Sequence, residues 1–156
     1  MWAELQEEVE LELAQIWRQL NLVAELRQKV RQTPPNHVEI MALAAFLHAF
    51  YNGVENLFKR VAKRLDPGSP RGEVWHSQLL QLMAQPSDKR PAIISETLRD
   101  KLRPYMTFRH VFRHAYSYEL QWTKMAPLIL DIELVFQELA SETQAFLATL
   151  IGTEQR

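Results

Sequence analysis

Residues 37–65 read HVEIMALAAFLHAFYNGVENLFKRVAKRL, and the spacing of apolar side chains in this stretch decides the fold class. Ile40, Ala44, Leu47, Phe50, Val54, Leu57, Phe58 and Val61 fall on one face of a helix with 3.6 residues per turn. Met41, Leu43, Phe46 and Tyr51 widen that face. A helix apolar over so much of its circumference belongs at the centre of a bundle. Gly53 in its middle costs about 1 kcal/mol relative to alanine, which a close crossing with another helix would explain. Asn36 is placed to cap the helix, running from about His37 to Leu65.

The flanking segments repeat the pattern. Upstream, Leu5, Val9, Leu13, Ile16, Leu20, Val23 and Val30 predict one amphipathic helix from about Ala3 to Arg31. Its acidic first half and its basic end, Arg27, Lys29 and Arg31, suit the helix dipole, and Thr33-Pro34-Pro35 stops it. Downstream, Asp66 to Gly72 holds two of the four glycines and reads as a loop. A short helix is expected over Val74–Ala84 through Trp75, Leu79, Leu80 and Met83. Ser95 is a cap for a segment from Glu96 to about Tyr116, which Pro104 is expected to kink or split. A last helix starts near Lys124 or Pro127 and runs to about Leu150, with Leu128, Ile132, Val135, Leu139, Phe146 and Leu150 facing the core. The prediction is an all-α, up-and-down helical bundle of four main helices plus a short extra helix, forming a single domain over residues 1–156.

Composition narrows the function. Apolar residues are 47% of 156, enough for a core and too many for a disordered chain. The formal net charge of −1 excludes a strongly basic, RNA-coating protein, so any nucleic-acid contact has to be local. With no cysteine there are no disulfides and no thiolate metal sites. No apolar run is long enough to span a bilayer, and Glu4, Glu7, Glu8 and Glu10 make the N-terminus unlike a cleavable signal. A cytoplasmic location, with no membrane association, is the expectation.

One short stretch carries chemistry. Arg109-His110-Val111-Phe112-Arg113-His114-Ala115-Tyr116 contains an arginine and a histidine separated by four residues, then a tyrosine two places on. Histidine exchanges protons near neutral pH, and arginine presents a fork of donors to phosphate oxygens. RNA cleavage needs both, because the ribose 2′-OH must lose a proton and the phosphorane must have its charge held. No metal is required when the 2′-OH is the nucleophile. The competing reading is a solvated basic face made of Arg103, Arg109, Arg113 and two histidines, and spacing alone favours it. The adjacent Tyr116, the polar His110 and the all-helical context reverse that preference.

On a regular helix Arg109 and His114 point about 140° apart, whereas His110 shares a face with His114 and Arg109 with Arg113. The helix therefore ends near His114, or a dimer completes the site. Tyr116-Ser117-Tyr118 is a poor helical continuation and favours an end there. Neither Arg109 nor His114 belongs to an apolar stripe, so replacing either is expected to leave the fold intact.

The R-x4-H-x-Y string resembles the signature of the HEPN family of small helical RNA-cleaving domains, in particular the HepT-like toxins whose antitoxin is a minimal nucleotidyltransferase. His110 fits, since that family tends to place Asn, Asp or His after the arginine. Residues 51–60, from Tyr51-Asn52-Gly53 to Lys59-Arg60, and residues 73–80, Glu73-Val74-Trp75-His76-Ser77-Gln78-Leu79-Leu80, resemble further blocks of the same proteins. The resemblance implies a HEPN-like homodimer that brings two motifs to one cleft. It implies a metal-independent endoribonuclease toxin acting on RNA such as tRNA or mRNA, without cofactor. It also implies neutralisation when the cognate nucleotidyltransferase attaches AMP to Tyr116. Arg109, His114 and His110 are the expected catalytic residues: Arg109 on the scissile phosphate, His114 as acid or base, and His110 orienting either. The alternative is a non-catalytic helical module that binds a nucleotide or a protein.

Other residues are weighed individually. Arg113, Tyr51 and Glu55 are carried as substrate-binding candidates, although a structural role is preferred for the last two. His110 and His114 lack the glutamate of an H-E-x-x-H zinc site, and no third ligand is evident, so no metal is expected. His48, among Phe46, Leu47 and Phe50, reads as a packed histidine; His76 reads as a helix-end residue; His37 reads as exposed. Tyr118 and Trp122 read as packing or interface residues, with stacking on a base as the alternative for either.

Overall fold

Asn36 sets the start of the central helix. Its side chain accepts from the Glu39 amide at 2.8 Å while Glu39 accepts from the Asn36 amide at 3.0 Å, a reciprocal capping box. In the computed structural model, which describes residues 2–68, 75–114, 116 and 119–156, this helix is α3, His37–Leu65. Before it come α1 (Trp2–Leu22) and α2 (Ala24–Lys29); after it come α4 (Trp75–Met83), α5 (Glu96–His114) and α6 (Trp122–Glu154). The expected loop residues 69–72, the helix start at Val74, and Tyr118 lie outside the described residues. Among the described residues the structure is all-helical, with one isolated bridge between Ser87 and Arg90 and no strand.

α3 packs against α1, α4, α5 and α6, as its wide apolar face requires. Leu43, Leu47, Phe50, Tyr51, Val54, Leu57 and Phe58 are fully buried, while Met41, expected to widen the buried face, is exposed. The pairing with α1 is antiparallel. Arg60 donates to Glu12 at 2.7 Å and Arg64 to Glu8 at 2.9 Å, so rising numbers in one helix meet falling numbers in the other. The hydrogen bond from Arg64 holds the Glu8 carboxyl below the usual carboxylate range. Gly53 lies where these helices cross; a β-carbon there would stand 2.6 Å from Cγ1 of Ile16.

Three element boundaries differ from expectation. The first predicted helix is broken at Val23. Arg27 is buried beside the break and donates to the Leu20 carbonyl at 3.0 Å, satisfying an acceptor near the end of α1. α5 is not split: it runs through Pro104, which removes only the bond to the Asp100 carbonyl. Neighbours hold it there, since Tyr105 beside the proline is buried and donates to the Leu128 carbonyl of α6 at 2.6 Å. α6 begins at Trp122 and carries Pro127 inside it; proline is best tolerated near a helix start, where few amide bonds are forfeited.

Ser95 caps α5 as expected, accepting from the Leu98 amide at 3.0 Å. Contacts of α5 with α6 run from Ser95–Glu142 through Lys101–Glu138 to Tyr105–Leu128, an antiparallel order. The connection between α4 and α5 is tied down by Arg90. This buried side chain donates to Asp66 and to the carbonyls of Leu82, Gln85 and Pro91. That clamp fixes α4 against the end of α3 and brings His76 to the side of α5.

Candidate active site

The described part of α5 runs to His114, and its last two turns form one wall of an open cleft. The cleft has a volume of about 940 Å³ and is lined by His76, Ser77, Met106, Thr107, Arg109, His110, Arg113 and His114. At 100° per residue the lining positions of α5 sweep roughly 160° of its surface, with Arg109 at one edge and His114 towards the other. The angular separation between these two residues is therefore spanned by the cleft itself. His110 and Arg113 occupy the arc between them, and the rings of His110 and His114 lie 4.7 Å apart.

The two edges differ in burial. His110, Arg113 and His114 are exposed, whereas Arg109 is 5% exposed and engages α3 and α4. Its Nη1 donates to Glu55 in a short bond and to Asn52 Oδ1 at 3.0 Å, and its Nη2 lies 2.7 Å from His76 Nδ1. The same His76 nitrogen is 2.6 Å from the second oxygen of Glu55. The guanidinium also sits 5.4 Å from the ring centre of Tyr51, within cation–π range. Three helices thus meet in one polar knot: Asn52 and Glu55 from α3, His76 from α4 and Arg109 from α5. Among the described residues, Arg109 Nε and the Tyr51 hydroxyl are buried without a hydrogen-bond partner.

Glu55 and Tyr51 do not line the cleft. Both are buried behind Arg109, so their influence reaches the cleft through Arg109 and His76. Burial, and next the Glu55 charge, raise the Tyr51 phenol far above its ordinary range, which keeps it protonated. His48 packs its ring on Phe112 with 5.1 Å between centres. Burial lowers its imidazole below the usual value, and the charges of Arg109 and Arg113 lower it further.

His76 and Asn52 are the site residues that sequence reasoning missed. The available signal was Glu55: a carboxylate within the apolar face of α3 needs a buried cation. The pattern shows the need and not the partner. Tyr116 is 68% exposed, two residues past His114, and lies outside the cleft lining. His37 is exposed at the start of α3, and Trp122 opens α6 packed on the core. Among the described residues no three His, Asp, Glu or Cys side chains gather as a metal site, and no helix is long and apolar enough to cross a membrane.

The span from α3 through α6 also decides the kinship. A family model described as "HepT-like protein" matches residues 42–150, which include every residue of the cleft and of the polar knot behind it. The chain belongs to the HepT-like family. As a HepT-like protein it is of HEPN type, a kind associated with toxin–antitoxin systems and with ribonuclease toxins. The matched span starts inside α3, so α1 and α2 lie beyond it. No curated protein and no solved structure matches this HepT-like chain.

Proposed function

We propose that this HepT-like protein is the toxin of a toxin–antitoxin pair and a metal-independent endoribonuclease that works at the cleft beside α5. The observation that carries the reading is the grouping of His76 from α4 with His110, Arg113 and His114 from α5 around one solvent-open cleft, backed by the Glu55–Arg109 ion pair. Cleavage by the 2′-OH needs a proton acceptor, a proton donor and positive charge at the phosphorane, and these are the side chains gathered there. His114 exchanges a proton with the reacting oxygens. Exposed Arg113 meets phosphate, His110 orients His114 or the phosphate, and Arg109 adds charge at the cleft edge while holding Glu55 and His76. The products are a 2′,3′-cyclic phosphate and a 5′-hydroxyl.

Regulation falls to Tyr116. Its exposure makes the phenol reachable by a second enzyme, and the proposed partner is a cognate minimal nucleotidyltransferase that attaches AMP there. The added phosphate charge beside the basic wall hinders RNA entry. The functional unit is proposed to be a homodimer acting in the cytoplasm.

A second reading draws on one observation. The Arg109 guanidinium is already engaged by Glu55, Asn52 and His76, which suits a structural arginine in a non-catalytic nucleotide- or protein-binding module. Incubating the purified protein with RNA, beside its His114→Ala variant, separates the two. Cutting by the wild type that the variant lacks supports the nuclease. Retention of RNA without cutting supports the binding module.

A further inference from the structure

In-line cleavage of RNA moves two protons. One leaves the 2′-OH as its oxygen attacks phosphorus; the other is delivered to the 5′-oxygen as the P–O5′ bond breaks. A histidine pair can perform both transfers, provided one imidazole starts neutral and the other starts protonated. Resting on the ribonuclease reading above, we propose that His76 is the base of this pair and His114 the acid, so that one chain supplies both proton-transfer groups.

The assignment rests on placement. His76 lines the same cleft as His114 but comes from α4. Its Nδ1 is taken up by the inner partners, 2.6 Å from Glu55 and 2.7 Å from Arg109, which leaves Nε2 as the nitrogen available to the cleft. We take Nδ1 to donate its proton to Glu55, which leaves the lone pair on Nε2, the arrangement by which a buried carboxylate orients a catalytic imidazole; Arg109 Nη2, a donor only, is then a charged neighbour of Nδ1 and not its hydrogen-bond partner. Glu55 is 2% exposed and is itself held by Arg109, so the orienting carboxylate is fixed. His114 is exposed on α5 in the same cleft.

The step balances as written. Nε2 of His76 accepts the 2′-OH proton, the 2′-oxygen bonds to phosphorus, the P–O5′ bond breaks, and the imidazolium of His114 protonates the departing 5′-oxygen. Glu55 and Arg109 are positioning residues for His76, and neither exchanges a proton with the substrate.

The test measures kcat/KM against pH for the full chain on a short RNA and on uridine 3′-(4-nitrophenyl phosphate), whose leaving group departs without a proton. The wild type is expected to give a bell on RNA. His76→Gln, which keeps an amide donor towards Glu55 should His76→Ala fold poorly, is expected to lose about a hundredfold on both substrates and to lose the acidic limb of the profile. His114→Gln is expected to lose the basic limb and to fall far more on RNA than on the activated ester. Free imidazole is expected to restore part of the cutting by a folded His76→Ala, which a merely structural histidine would not allow. Cutting by His76→Gln near the wild-type rate, or a reduced rate with both limbs kept, overturns the role of His76 and leaves the ribonuclease reading standing. A wild type inert on both substrates overturns that reading and this proposal together.

Discussion

Replacing Arg109 with alanine strands Glu55, a carboxylate 2% exposed whose cation would be gone. Removing one partner of a buried ion pair typically costs about 3–5 kcal/mol. Arg109→Ala is therefore expected to lower the urea midpoint as well as activity, and Glu55→Gln in the same chain is expected to recover much of the lost stability. Additive losses in the double variant would mean that the pair is not coupled. This differs from what the sequence suggests, because Arg109 belongs to no apolar stripe and looks dispensable for folding. The R-x4-H-x-Y spacing makes Arg109, His110, His114 and Tyr116 legible as candidates; it says nothing of the inward turn of Arg109, which is set by tertiary partners on α3 and α4. His76 was illegible as a site residue for the same reason, since its partner Glu55 is 21 positions away on another helix. Tyr116→Phe is expected to leave RNA cutting largely intact, because a phenol with a reference pKa of about 10 is a poor proton carrier near pH 7. It is also expected to abolish silencing by the cognate transferase with ATP. Mass spectrometry after co-expression reads this directly, and an AMP adduct on another residue would remove Tyr116 from the role.

The order and type of the main helices follow from apolar periodicity, and their interruptions do not. Gly53 was legible as a crossing point because glycine in a long helix needs a reason, and Ile16 of α1 is that reason. Gly53→Ala gains about 1 kcal/mol of helix propensity but places a β-carbon 2.6 Å from a core side chain. Overpacking of this kind costs about 1–3 kcal/mol, so thermal unfolding is expected at lower temperature. Adding Ile16→Ala should relieve the clash and make the two changes non-additive. A Gly53→Ala variant more stable than wild type would show that α1 shifts freely. The break at Val23 could not be read, because the residues around it carry the apolar pattern without a gap; the acceptor supplied to Arg27 appears only once the chain is folded. Pro104 misled in the other direction. Its local effect is to remove one hydrogen bond, and packing of Tyr105 and Leu102 into the core keeps α5 whole. The acidic residues of α1 suited its dipole on sequence grounds, yet Glu8 and Glu12 are also ladder partners for Arg64 and Arg60.

At the scale of the molecule, the cleft lies open at the end of α5, and Val111 on the same terminal turns is half exposed. An open basic wall next to an apolar side chain is suited to facing a second copy, and dimerisation through the face that carries the motif is expected in sedimentation experiments. A protein that stays monomeric at micromolar concentration and still cuts RNA would contradict the joined-cleft arrangement, though not the chemistry of one cleft. On the proposed reading this chain cuts RNA with its own side chains, the 2′-OH serving as nucleophile. The direct measurement is product analysis of RNA incubated in EDTA with the wild type and with His114→Ala. The expected result is cutting by the wild type to 2′,3′-cyclic phosphate ends, lowered about a hundredfold in the folded variant. Cutting that stops in EDTA and returns with added metal, or that proceeds equally well without His114, would contradict it.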